Sequence, residues 1–156
     1  GVADDPLGFT FIDDKQRLAR DLLEVRFMIE PQIARMAAEH ATNDQVVCIK
    51  ELCDESERLA EAGEDYSAAA DTAFHNAIAE SSGNLVVPRL MGVFKASVPL
   101  FIDVTGKKLV EETIRTHRDV ADAIASRNPT AAHDAMYLHL VYNRNMIAEG
   151  AEAKGI

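Results

Sequence analysis

The chain has 156 residues, 47% of them apolar, which suits one domain able to bury roughly two thirds of its unfolded surface. Sixteen basic against 26 acidic residues give a formal charge of −10, which repels phosphate backbones and acidic membrane surfaces and argues against nucleic-acid binding by this stretch itself. Aromatics make up 6%, Trp is absent, and strand formers never accumulate with period two, so the expected fold class is all-α, an antiparallel bundle of about six helices around a central cavity.

Residues 1–12 read as an N-terminal segment or linker. The chain begins at Gly1 without an initiating Met, so a segment of a longer protein is expected. The first helix runs from about Asp13 to His40, with Leu18, Leu22, Val25, Ile29, Ile33 and Met36 as its apolar stripe and a kink expected at Pro31. Thr42 to Gln45 has the form of a capping box and opens a second helix that Gly63 closes. Cys48 and Cys53 on this helix match neither a zinc pair nor a disulfide framework; free thiols in a reducing cytoplasm are expected.

A third helix, from about Asp65 to Ser82, carries Asp71 and His75. Asn84 caps a fourth, bent by Pro88 and Pro99 and ended near Thr105-Gly106. Its apolar stretch LVVPRLMGVFKASVPLFI is interrupted by Arg89, Lys95 and two prolines, as a buried helix would be and a membrane span would not; no signal peptide is visible. The fifth helix spans about Lys108 to Arg127. Asn128-Pro129 starts the sixth, which reaches about Glu149, because Asn accepts from exposed N–H groups and Pro tolerates the first helical position. Residues 13–150 thus form one domain, and 151–156 a tail.

Four of these residues point to a metal. Asp71 and His75 share a helix face at i and i+4. His117 and His139 are equally spaced about Asn128, so an antiparallel hairpin brings them to one level, and helix counting puts His75 within about one turn of that level. His117 lies in the stripe of Val110, Ile114, Val120, Ala121 and Ile124; His139 is surrounded by Met136, Leu140, Met146 and Ile147. One such histidine reads as a hydrogen-bonded core residue, but three with an aspartate are better satisfied by shared coordination. His40, at a helix end, and His133, on a solvated face, lack this context. Imidazole and carboxylate ligands suit a divalent transition metal, zinc foremost, with nickel, manganese or iron as alternatives, and disfavour calcium and magnesium.

Three neutral imidazoles, one carboxylate and a divalent cation leave a net charge of +1, which attracts an anion, here a small carboxylate. Arg26, within about two turns of Asp71 and His75 by helix counting, is a candidate effector contact; the alternative is an ion pair with Glu30. Asn143, one turn past His139, is either a pocket donor or a surface amide.

The segments EVRFMIEPQIARMAAEHAT, DTAFHNAIAESSGN and RTHRDVADAIASRNPTAAHDAMYLHL resemble the FCD ligand-binding domain on the C-terminal side of GntR-type transcription regulators of the FadR subfamily. The resemblance covers about Asp13 to Ile147. It implies a helical bundle holding a metal through Asp71, His75, His117 and His139, with an organic acid at the metal contacted by Arg26, and six helices resemble the VanR-type branch. It also implies a homodimer that reads operator DNA through an N-terminal winged helix-turn-helix, which nothing in these residues resembles. The expected function is therefore effector sensing in a transcription regulator, not catalysis. A metal-dependent hydrolase using the same three histidines and aspartate is the alternative, and a purely structural bundle the third.

Overall fold

The computed structural model describes residues 5–64, 67–94, 100 and 110–153. Among them are a short 3-10 turn, Phe9–Phe11, and six α-helices: α1 Lys15–His40, α2 Asn43–Glu61, α3 Ala68–Glu80, α4 Val87–Val93, α5 Val110–Ala125 and α6 Pro129–Ala153. No strand occurs among the described residues. Pro99, Thr105-Gly106 and Lys108, invoked above as a bend, an end and a start, lie outside them.

Local signals account for most of the helix boundaries. Asp14 Oδ1 accepts from Arg17 N to start α1. Thr42 and Gln45 form the reciprocal capping box, with Gln45 N donating to Thr42 Oγ1 at 3.1 Å and Thr42 N donating to Gln45 Oε1 at 2.9 Å. Gly63, at φ 74°, closes the α2 corner. Ser67 caps α3, its hydroxyl accepting from Ala70 N, while Asp65, where the sequence placed the start, lies outside the described residues, and Asn128 Oδ1 accepts from Ala131 N at the head of α6.

Two expectations need correction. Pro88 does not bend α4: it stands in its first turn, where a missing N–H costs nothing. Asn84 acts just before it, taking the N–H groups of Val86 and Val87. The inward stripe of α1 is also rotated from the one drawn above. Val25 is 38% exposed, whereas Arg26 and Glu30 are buried alongside Leu18, Leu22, Leu23, Ile33, Ala34 and Ala37. Apolar periodicity alone leaves out these two polar residues because their burial depends on each other. α1 continues through the buried Pro31 to His40.

The helices share one interior. α1 packs along α6, α5 lies on α6, and α2 bridges α5 and α3. The larger core cluster joins Ile33, Ala37, Ile49, Phe74, Ile78, Val120, Ile124 and Met136, and a smaller one joins Ala19, Leu23, Leu140 and Ile147. Alanines at positions 34, 37, 38 and 79, all almost fully buried, let backbones approach closely, while the polar residues of α1, α3, α5 and α6 meet within the same interior.

Candidate metal and effector site

α3 delivers Asp71 and His75, α5 His117, and α6 His139, and the structure brings the three imidazoles together. Ring centroids are 4.5 Å apart for His117 and His139, 5.3 Å for His75 and His117, and 5.4 Å for His75 and His139. One ring nitrogen from each lies within 4.8 Å of the others, and all three residues are buried. Asp71 is outside that tight triad, yet its Oδ1 is 3.5 Å from His117 Nε2 and 3.9 Å from His75 Nε2. Two ligand atoms about 2.1 Å from one zinc ion at a tetrahedral angle stand about 3.4 Å apart, so these spacings suit shared coordination. Phe74 stacks on His117 with centroids 4.0 Å apart and walls the cluster.

The opposite ring nitrogens have defined partners. Glu30 Oε1 is 2.6 Å from His75 Nδ1, and Thr116 Oγ1 is 2.8 Å from His139 Nδ1. Nε2 of His75 and of His139 are buried with no hydrogen-bond partner among the described residues. A buried nitrogen of this kind normally costs about 1–3 kcal/mol; two that turn toward a common centre with Asp71 fit the donor set of a divalent transition ion.

The electrostatics agree for two of the three rings. Burial above all holds His117 down at about 3, against the opposing pull of Asp71. Burial, reinforced by the neighbouring His117 and His75, holds His139 well below the usual imidazole range. Both are neutral at physiological pH, as metal donors must be. His75 differs: burial works against its charge, but the carboxylates of Glu30 and Asp71 outweigh it and raise its pKa. A cation at Nε2 would take the place of that proton. Burial likewise opposes charge on Glu30, yet Arg26 and His75 prevail and hold its carboxyl at about 2.

Arg26 donates from Nε to Glu30 Oε2 at 2.5 Å, with both side chains buried. The ion pair weighed in the sequence is therefore present, and it is not an ordinary surface pair. It extends through Glu30 to His75, so a single carboxylate links Arg26 to the imidazole cluster. Asn143 is 5% exposed, which removes the surface-amide alternative and leaves a buried amide one turn from His139. His40 and His133 stay outside the cluster: His40 is exposed at the end of α1, and His133 pairs with Asp134.

Sequence reasoning missed Thr116 and gave Glu30 only half its part. Thr116 directly precedes His117, and Glu30 stands one helical turn from Arg26 and faces the same interior. The available signal was an acidic and a hydroxyl residue beside buried-stripe positions, which is weak until a partner ring is placed across from each.

Residues 21–142 match the family described as FCD domain. The chain is 26% identical over 133 residues to an uncharacterized HTH-type transcriptional regulator, YcbG, of Bacillus subtilis, covering 85% of this chain and 56% of that protein. It is 30% identical over 128 residues to the Uxu operon regulator of Haemophilus influenzae, covering 77% of this chain and 47% of that one. Among solved structures, a Streptococcus agalactiae GntR superposes with a TM-score of 0.80 at 36% identity, covering 93% of this chain and 66% of that one. The chain thus spans about half the length of these curated relatives.

Proposed function

The chain belongs to the FCD domain family, and from that premise we propose that it is the effector-sensing domain of a bacterial transcriptional regulator, of the GntR type and its VanR-like branch. Asp71, His75, His117 and His139 hold a divalent transition metal, zinc before nickel, manganese or iron. Arg26 and Asn143 bind a small carboxylate effector beside it. The domain works as a homodimer in the cytoplasm, and operator DNA is read by a separate N-terminal domain. No helix among the described residues is long and apolar enough to cross a membrane.

The observation that carries this reading is the pair of buried Nε2 atoms on His75 and His139, turned inward while each Nδ1 is engaged elsewhere. When bound, a divalent cation supplies a positive charge that the neutral imidazoles leave uncompensated, and a coordination position open to an anion. Arg26 and Glu30 cancel, so Asp71 is the remaining negative group and the site carries a net +1. A carboxylate there meets the Arg26 guanidinium, suited to planar recognition. Because the ligand touches residues of α1, α3, α5 and α6 together, its binding favours one arrangement of these helices and, through the dimer, one spacing of the DNA-reading domains.

The hydrolase alternative has less support. A water activated in this cluster needs a general base. Glu30 is already held between Arg26 and His75, and Glu80 is exposed on α3. Metal analysis of the purified chain, followed by thermal-shift titration with small mono-, di- and tricarboxylates, tests the proposal. Saturable stabilisation that is lost in Arg26→Ala and in His117→Ala is expected. Steady consumption of any ligand would overturn the sensor reading.

A further inference from the structure

An imidazole can offer an Nε2 lone pair in its neutral form only when its proton sits on Nδ1. Nothing intrinsic to histidine guarantees that tautomer, and the two residues that contact Nδ1 here are outside the set of metal donors. Thr116 Oγ1 lies 2.7 Å from Glu112 O and 3.1 Å from Thr113 O. A carbonyl only accepts, so the single hydroxyl proton of Thr116 points into its own helix, and Oγ1 is left as an acceptor toward His139 Nδ1. Glu30, with one oxygen on Arg26 Nε and the other on His75 Nδ1, is an ionised acceptor that requires a proton on that nitrogen.

We propose that Glu30 and Thr116 are positioning residues: Glu30 fixes His75, and Thr116 fixes His139, as Nδ1–H tautomers whose Nε2 lone pairs face one centre. Glu30 also makes Arg26 part of the same rigid unit, so a group that binds Arg26 acts on the orientation of His75. This inference deepens the metal reading above and rests on it. The two orienting groups differ in kind. Thr116 is neutral and local, held by the α5 backbone, whereas Glu30 reaches across from α1 and brings charge.

The test compares the native chain with Thr116→Val, Thr116→Ser and Glu30→Gln. Zinc affinity is measured by competition with a chromophoric chelator, and imidazole tautomers by nitrogen-15 NMR, for His139 without metal and for both rings with zinc. Loss of an orienting partner is expected to weaken zinc binding by about 10- to 100-fold. Thr116→Val, which keeps shape but cannot accept, shows the loss together with an Nε2–H signal for His139. Thr116→Ser keeps the hydroxyl and returns both readouts to the native values. Glu30→Gln weakens zinc while leaving the His139 tautomer unchanged. Native-like affinity and an unchanged tautomer in Thr116→Val would overturn the proposal, as would an Nε2–H His139 in the native chain. A native chain that takes up no zinc would sink the metal reading by itself, and the metal-free His139 tautomer would then decide the orienting role of Thr116 separately.

Discussion

His117 and His139 stand equally far on either side of the Asn128 cap, and their rings meet across the α5–α6 hairpin with centroids 4.5 Å apart. The meeting follows from the turn: Asn128 Oδ1 accepts from Ala131 N, and two antiparallel rods of equal rise return to the same level. Arg127 at φ 57° makes the reversal and donates from Nη1 to Ala41 O and from Nη2 to Asn43 Oδ1, tying the hairpin to the α1–α2 corner. The third ring, His75, arrives on α3 from a different part of the bundle, so a ligand held by all three would tie α3 directly to the α5–α6 hairpin.

That linkage sets the first prediction. A ligand that binds only the folded chain at about 100 times its dissociation constant stabilises it by about 2.7 kcal/mol, which for a domain of this size corresponds to roughly 5–10 °C in melting temperature. Chelator treatment of the metal-loaded chain should lower the calorimetric midpoint by that amount, and zinc should restore it. His139→Ala should melt at one temperature with or without chelator. An equal chelator effect in the native chain and in His139→Ala would show that the metal sits elsewhere.

Arg26 and Glu30 are both buried, so removing one member leaves an uncompensated charge in the interior. Arg26→Met should cost about 3–5 kcal/mol in urea unfolding. The double variant Arg26→Met, Glu30→Leu removes both charges and should recover a large part of the loss, although His75 then lacks its Nδ1 partner. A double variant less stable than the single one by the full cost of a second independent mutation would show that the two residues do not compensate each other.

The helix content, the caps at Thr42 and Asn128, the histidine cluster and the proximity of Arg26 were all legible because each depends on local spacing and on counting residues through turns. The facing of α1 was not. Apolar periodicity put Val25 inside and gave no reason to bury Arg26 and Glu30, since a charged pair inside a core is favourable only with a partner across it, here His75. Pro88 was misread for a similar reason: a proline marks either a bend or a first turn, and which one depends on where the preceding residues leave the helix. Thr116 carries only a weak signature, a hydroxyl beside a buried-stripe position, until His139 lies opposite it.

The two thiols differ enough to be told apart in solution. Cys48 is exposed and Cys53 is buried. Burial above all pushes the Cys53 thiol up to about 12, from an ordinary value near 9. Iodoacetamide at pH 8 should modify one thiol in the native chain and both after denaturation, as read by mass spectrometry. Because the folded pKa is raised, the stability contributed by the protonated Cys53 is complete below about pH 9 and is lost as pH rises toward 12. Cys53→Ser should lose some core stability throughout but show a shallower alkaline decline. Rapid native labelling of Cys53 at pH 8 would contradict its burial.

Gly63 and Gly83 form a matched pair, both at φ 74°, with different surroundings. A Cβ at Gly63 meets nothing within 4 Å, whereas one at Gly83 would stand 3.0 Å from His40 Cβ and 3.3 Å from His40 Cγ. Alanine at either site carries the left-handed backbone strain of roughly 1–2 kcal/mol. At Gly83 it must also displace the last residue of α1, at the corner where α3 ends, and overpacking of this kind adds about 1–3 kcal/mol. Urea unfolding of the two variants should therefore give a clearly larger loss for Gly83→Ala, and the difference isolates the contact with His40 because the backbone term is common. Equal losses would mean that the end of α1 yields without resistance, and that the α1–α3 corner is held by Ser81, Ser82 and the buried alanines around them rather than by the close approach of Gly83 to His40.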